Sequence, residues 1–98
     1  MVHQLQEIFP DCHRNWLVQS AMGGTDIANS GCFNIEIKGG KQCNVKKVRG
    51  WLEQVEAEGK KENFNVVVAR PIREDAYVIM PFKDFKAILN ILKKEGII

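Results

Sequence analysis

Gly24-Thr25-Asp26-Ile27-Ala28-Asn29-Ser30-Gly31-Cys32-Phe33-Asn34-Ile35-Glu36-Ile37-Lys38-Gly39-Gly40 is the stretch on which the reading of this chain turns. Phe33, Ile35 and Ile37 alternate with Asn34, Glu36 and Lys38. A period of two sends these sets to opposite faces of a strand, so Glu36 and Lys38 project from one side. Asn29-Ser30-Gly31 has the residue types of a tight turn. A hairpin is therefore expected, with Asp26 on its first strand roughly opposite Glu36. Two carboxylates and an ammonium beside a sheet make a candidate divalent-metal site with a cationic helper. A solvated cross-strand ion pair, the commoner arrangement, remains open on local grounds.

The acid-x-lysine pattern occurs three times: Glu36-Ile37-Lys38, Glu58-Gly59-Lys60 and Asp84-Phe85-Lys86. Only the first falls on an expected strand, where residues two apart share a face. The second falls at a helix end and the third at a helix start, where residues two apart diverge around the axis. Strand geometry thus selects Glu36 and Lys38.

Working outward, residues 1–9 carry Val2, Leu5, Ile8 and Phe9 at helical spacing, and Pro10-Asp11 ends this short helix. Glu7 lies on it, and a solvated charge is the ordinary reading of such a residue. Residues 12–20 form an expected first strand, its apolar centre at Trp16-Leu17-Val18 flanked by Arg14 and Gln19. A small-residue loop through Ser20 and Gly23-Gly24 leads to the hairpin. Beyond it, Gly39-Gly40-Lys41 is a flexible basic connection. Asn44 is placed to cap a helix over 45–58 whose buried stripe is Val45, Val48, Trp51, Leu52 and Val55. Lys46 and Lys47 lie on its wet side, and Gln54 at the margin of the stripe. Phe64 to Ala69 reads as a strand buried on both faces. Residues 76–82 form the next strand and hairpin with it. Asp84 can cap a last helix that turns Phe85, Ile88, Leu89 and Leu92 inward. The order α-β-β-β-α-β-β-α predicts an α/β (α+β) domain with a mixed sheet and helices packed on it.

The chain of 98 residues is expected to form one domain, residues 1–98. A hydrophobic fraction of 45% and a charged fraction of 27% are those of an ordinary globular protein. A net charge of +2 and a pI near 8.5 do not by themselves announce a nucleic-acid binder. Cys12, Cys32 and Cys43 are odd in number and widely spaced, which argues against a disulfide framework or a zinc site and for reduced thiols. No apolar run approaches membrane-spanning length and no signal pattern opens the chain, so a cytoplasmic protein without membrane partners is expected.

Gly24-Thr25-Asp26-Ile27 followed by Ile35-Glu36-Ile37-Lys38 resembles the PD-(D/E)XK nuclease superfamily. The chain is most similar to its small Holliday-junction-resolvase-like and phage-encoded members, including the stand-alone VRR-NUC type. Their pattern is a serine in a small-residue loop, an aspartate before an apolar residue, and Glu-x-Lys on the next strand. Ser20, Asp26-Ile27 and Glu36-Ile37-Lys38 match it. Lys41 and Gln54 match the basic segment and helix glutamine that follow. The valine-rich strand and the run Tyr77-Val78-Ile79-Met80-Pro81-Phe82 also look like phage members. The resemblance covers roughly residues 11–92. It departs at Thr25, where the name-giving proline is missing, and in the first helix, where Glu7 alone can stand for the resolvase glutamate.

The resemblance implies a restriction-endonuclease-like core and a Mg²⁺- or Mn²⁺-dependent endodeoxyribonuclease. Asp26, Glu36 and the backbone carbonyl of Ile37 would bind the metal. Lys38 would orient the attacking water or stabilise the transition state, with Gln54, Ser20 and Glu7 as further candidates. Arg14, Lys41, Lys46 and Lys47 would contact DNA phosphates. With no recognition helix evident, branched or junction DNA is the expected substrate. Symmetric cutting of a junction implies a homodimer, and the setting would be a bacterial or phage-infected cell. The alternative is a catalytically inactive nuclease fold that binds nucleic acid or a protein partner.

Overall fold

β-branched and apolar residues make Phe64-Asn65-Val66-Val67-Val68-Ala69-Arg70 a strand whose residues 65–69 are buried, with both faces covered, and the fold is assembled on it. A computed structural model describes residues 2–15, 25–40 and 44–98. In chain order it contains helix α1 (Val2–Leu5), strands β1 (His13–Arg14), β2 (Ile27–Ala28) and β3 (Phe33–Gly39), and a 3₁₀ turn (Val45–Lys47). Helix α2 (Val48–Glu58), strands β4 (Phe64–Arg70) and β5 (Tyr77–Ile79) and helix α3 (Phe82–Lys94) complete it. This is a small mixed α+β domain. No helix among the described residues is long and apolar enough to cross a membrane.

β3 and β4 pair in parallel, Phe33 opposite Phe64 through Gly39 opposite Arg70, and β5 adds antiparallel to β4 with Val67 opposite Ile79. The parallel pairing follows from the helical connection, since α2 carries the chain back to the start of the sheet. The alternation of β4 divides the core. Val66 and Val68 join Ile35, Ile27 and Cys12 under α1, with Val2, Leu5 and Phe9 packed against them. Val67 and Ala69 face the other way, against Trp51 and Val55 of α2. Val67 and Val55 are fully buried. Each contributes about 1.5–3 kcal/mol by leaving water.

Several expectations are revised. β2 does not form a ladder with β3. It pairs antiparallel with β1, His13 opposite Ala28 and Arg14 opposite Ile27. The turn at residues 29–31 is present, with Asn29 and Gly31 both at φ near +60° (60° and 63°). Ser30 closes it by donating to the Phe33 carbonyl at 2.8 Å. The turn therefore bends the chain from one sheet to the other instead of joining neighbours in one ladder. α1 is a single turn. α2 begins at Val48, and Asn44 caps the preceding 3₁₀ turn by accepting from the Lys46 N–H at 2.9 Å. The last helix starts earlier than an Asp84 cap would have it, at Phe82, and Asp84 instead accepts the Asn65 N–H at 2.8 Å, pinning α3 to β4. Phe85 is exposed, while Ile88, Leu89 and Leu92 are half-buried.

A buried asparagine locks α2 to the start of β3. Asn34 donates to the Lys60 carbonyl and to Asn65 Oδ1, both at 2.8 Å, and accepts from the Lys60 N–H at 3.1 Å and from Asn63 at 3.2 Å. Both amide donors and both lone-pair directions are used, so its burial carries no unsatisfied group. A Cβ at Gly59 would overlap this side chain, which is why a glycine follows α2. Its backbone is extended there, not left-handed.

Candidate metal centre

β3 builds the site with its outer edge and with one of its faces. On the edge away from β4, the Ile37 N–H donates to Asp26 Oδ2 at 2.7 Å. The N–H and C=O of a strand residue leave by the same edge. The Ile37 carbonyl therefore opens toward the side that Asp26 occupies. Asp26 does come to Glu36, as expected, but through a side chain capping a strand edge and not through a hairpin ladder.

On the face covered by α2, Glu36 is 1% exposed. A solvated ion pair is ruled out for it on that ground. Asp26 and Glu58 both lie within hydrogen-bonding reach of its carboxyl group. Burial, hydrogen bonding to Glu58 and Asp26, and the negative charges of both push the Glu36 carboxyl up to about 9. Lys38, two residues on and on the same face, donates from Nζ to Gln54 Oε1 at 2.9 Å. Gln54 in turn donates from Nε2 to Glu58 Oε1 at 3.3 Å. Gln54 and Glu58 are four apart on α2, so one helical turn stacks them.

Glu36 Oε1 and Glu58 Oε2 are buried, and no hydrogen-bond donor among the described residues reaches either. A carboxylate offers only acceptors. Two such oxygens out of water call for a proton or a cation, because a buried charge without a partner costs several kcal/mol. The donor set, hard oxygens only, suits Mg²⁺ or Mn²⁺. Among the described residues no three His, Cys, Asp or Glu side chains converge closely enough to enclose an ion by themselves. Any ion held here would have to draw on backbone oxygen and water beside the carboxylates.

Beside Glu58 a cavity of about 470 Å³ opens, lined by Asn15, Thr25, Asn29, Ser30 and Lys60 among others. Its walls are rich in amide, hydroxyl and backbone groups. Glu7 lines none of it: it is exposed in the turn after α1, and α1 covers the sheet face opposite Glu36. Arg14 is exposed on β1. Lys46 and Lys47 are exposed on the 3₁₀ turn before α2, roughly 16 Å along the helix from Glu58 at a rise of about 1.5 Å per residue. Ser20 and Lys41 lie outside the described residues.

Glu58 is the residue that sequence reasoning passes over. Within Glu58-Gly59-Lys60 it is discounted, because residues two apart on a helix diverge. The informative spacing is the other one, Gln54 to Glu58, which places a second acid on the same helix face as the glutamine. Comparison of the chain with protein-family models, curated proteins and solved structures finds no match.

Proposed function

We propose that this chain is a metal-dependent DNA endonuclease of the PD-(D/E)XK type that hydrolyses phosphodiester bonds in branched or junction DNA. The observation that carries the reading is the buried Glu36 carboxylate, with no donor on Oε1, flanked by Asp26 and followed on the same face by a lysine that Gln54 orients.

Asp26 and Glu36 would hold Mg²⁺ or Mn²⁺ with the Ile37 carbonyl, and the Ile37 N–H fixes Asp26 in that position. The ion, when bound, would acidify a water and offset charge on the scissile phosphate. Lys38 supplies a positive charge for the negative charge that develops in the transition state, and Gln54 limits its freedom. Burial between β3 and α2 lowers the local dielectric and strengthens each of these interactions. Arg14, Lys46 and Lys47 are exposed cations that can meet backbone phosphates.

A homodimer fits the symmetry of a four-way junction. Its candidate interface is the exposed apolar set Tyr77 and Val78 on β5 and Phe82, Phe85 and Ile91 on α3. We place the protein in the cytoplasm of a bacterial or phage-infected cell, where such DNA occurs.

The test is incubation of four-way junction, flap and linear duplex DNA with the purified protein in Mg²⁺ or Mn²⁺. Cleavage of branched DNA by the wild type, abolished in Asp26→Ala and Lys38→Ala, is the expected result. Cleavage that survives both substitutions would refute the residue assignment. Junction binding without cleavage in either metal would favour an inactive nuclease fold.

A further inference from the structure

A second cavity, of about 410 Å³, lies on the sheet face that carries Glu36 and Lys38, but toward the far strand. The register fixes its place. Lys38 pairs with Ala69 and Ala69 with Tyr77, so the three form one row across β3, β4 and β5. Ala69 packs against Trp51 under α2, and the alternation of β5 puts Tyr77 on that same side with Ile79. At about 4.8 Å per strand, Tyr77 stands about 10 Å from Lys38 along the row. Val48, Trp51, Ala69, Pro71 and Tyr77 wall the cavity, and Asn44 adds an amide. Trp51 is 8% exposed and held in the core, whereas Tyr77 is 54% exposed. The Lys46 N–H occupies Asn44 Oδ1 at 2.9 Å, so what Asn44 offers a ligand is its Nδ2 donor. Lys46 and Lys47 follow on the 3₁₀ turn between Asn44 and Val48, and both are exposed. The acids before β5, Glu74 and Asp75, line a different small cavity with Gln4 and Arg70.

We infer that this slot takes one unpaired nucleobase of a DNA strand crossing the α2 face. Its volume falls in the range of about 300–1,000 Å³ typical of small-molecule sites. A rigid indole and an exposed phenol suit a flat ring, because every base has a π-face that stacks on an aromatic side chain. The Asn44 amide can donate to a ring nitrogen or carbonyl of that base. Lys46 and Lys47 match the phosphates on either side of it. An apolar peptide would fill the walls and make no use of these two cations. A base held in a duplex is unavailable to such a slot, so a branch or flap, which supplies unpaired bases, is what it selects. The row from Tyr77 to Lys38 spans about three nucleotides at about 3.4 Å each. The inference rests on the proposed function only in taking DNA as the polymer. A chain–chain contact over Tyr77 would close the slot, so the two are alternatives at this residue.

Fluorescence anisotropy of the full chain with a labelled single-stranded oligothymidylate in EDTA, where no metal-dependent cleavage competes, tests it. The control is an abasic oligomer of the same length and charge. The wild type should bind the thymidylate at least about fivefold more tightly than the abasic strand, the low end of what stacking one base on an aromatic side chain carries. Tyr77→Ala should abolish that preference and Tyr77→Phe should keep it. The double variant Lys46→Ala, Lys47→Ala should weaken both oligomers alike, keep the preference and flatten the salt dependence. Equal binding of the two oligomers by the wild type, or a preference that survives Tyr77→Ala, overturns the slot. So does a preference that appears only in Phe82→Glu, which would make Tyr77 a chain–chain contact. Should Tyr77→Ala fold poorly, photo-crosslinking of the wild type to an oligomer carrying 5-iododeoxyuridine decides the question. Attachment at Tyr77 or Trp51 supports the slot, and attachment only elsewhere overturns it. A chain that cleaves junctions in Mg²⁺ but shows no base preference loses the slot alone. A chain that shows the preference but cleaves no DNA keeps the slot and loses the nuclease reading.

Discussion

Replacing Glu36 by glutamine should stabilise the metal-free protein near neutral pH and not in acid. The side chain is 1% exposed, and burial with two neighbouring carboxyl groups pushes its carboxyl from 4.5 up to about 9. Below the unfolded value the group is neutral in both states and costs nothing. Between the two values the folded chain holds a proton that the unfolded chain has released, so stability falls as pH rises. The loss is about 1.4 kcal/mol per pH unit, hence about 3 kcal/mol between pH 5 and pH 7. A domain of this size has about 5–15 kcal/mol in total, so the effect is a large fraction of it. Glutamine keeps the shape and does not ionise. Urea denaturation of both proteins at pH 5 and pH 7 in EDTA reads the effect of the Glu36 cluster, because titrating groups remote from it cancel in the difference. The advantage of Glu36→Gln should grow by about 3 kcal/mol across that interval. A difference that stays constant with pH would refute the burial of an ionisable group there.

Two further outcomes follow from the packing. Gly59→Ala should cost about 1–3 kcal/mol, as overpacking does, because the new methyl group would displace the Asn34 amide from its four hydrogen bonds; thermal denaturation measures it, and an unchanged melting temperature would contradict the close approach. If α3 and β5 form the dimer contact, light scattering should give twice the chain mass of 11.1 kDa, and Phe82→Glu, at a residue 73% exposed, should return it to the monomer mass without unfolding it; a wild-type monomer at high concentration would remove this interface.

Much of the architecture can be read from periodicity. The run Val66 to Ala69 is buried with both faces covered, and Trp51 and Val55 are the buried points of the helix stripe. Alternation puts Glu36 and Lys38 on one face and sets them apart from the other two acid-x-lysine pairs. Partner choice is less legible. A turn with Asn29 and Gly31 in left-handed conformations reads as a hairpin, yet β2 finds β1, far back along the chain (His13–Arg14 against Ile27–Ala28), because pairing between short strands is decided by tertiary packing and not by the turn. The burial of Glu36 is not legible either. An acid on the polar set of an alternating strand is expected in water, and only the docking of α2 over that face removes it. Asp84 reads as a helix cap and acts as an acceptor for a strand N–H, since the same carboxylate serves either role and the sequence does not say which donor arrives. Glu58 is hidden by the same helical docking, and its four-residue spacing from Gln54 is the one signal that points to it.

The central claim is that Asp26 and Glu36 bind a divalent cation. A crystal grown or soaked in Mn²⁺ and measured for anomalous scattering at the manganese edge addresses it directly. An anomalous peak is expected within coordination distance of an Asp26 carboxylate oxygen, Glu36 Oε1 and the Ile37 carbonyl, absent from crystals of Asp26→Asn. A map at millimolar Mn²⁺ with no peak beside β3, or with manganese only on surface carboxylates such as Glu53 or Glu62, would contradict it.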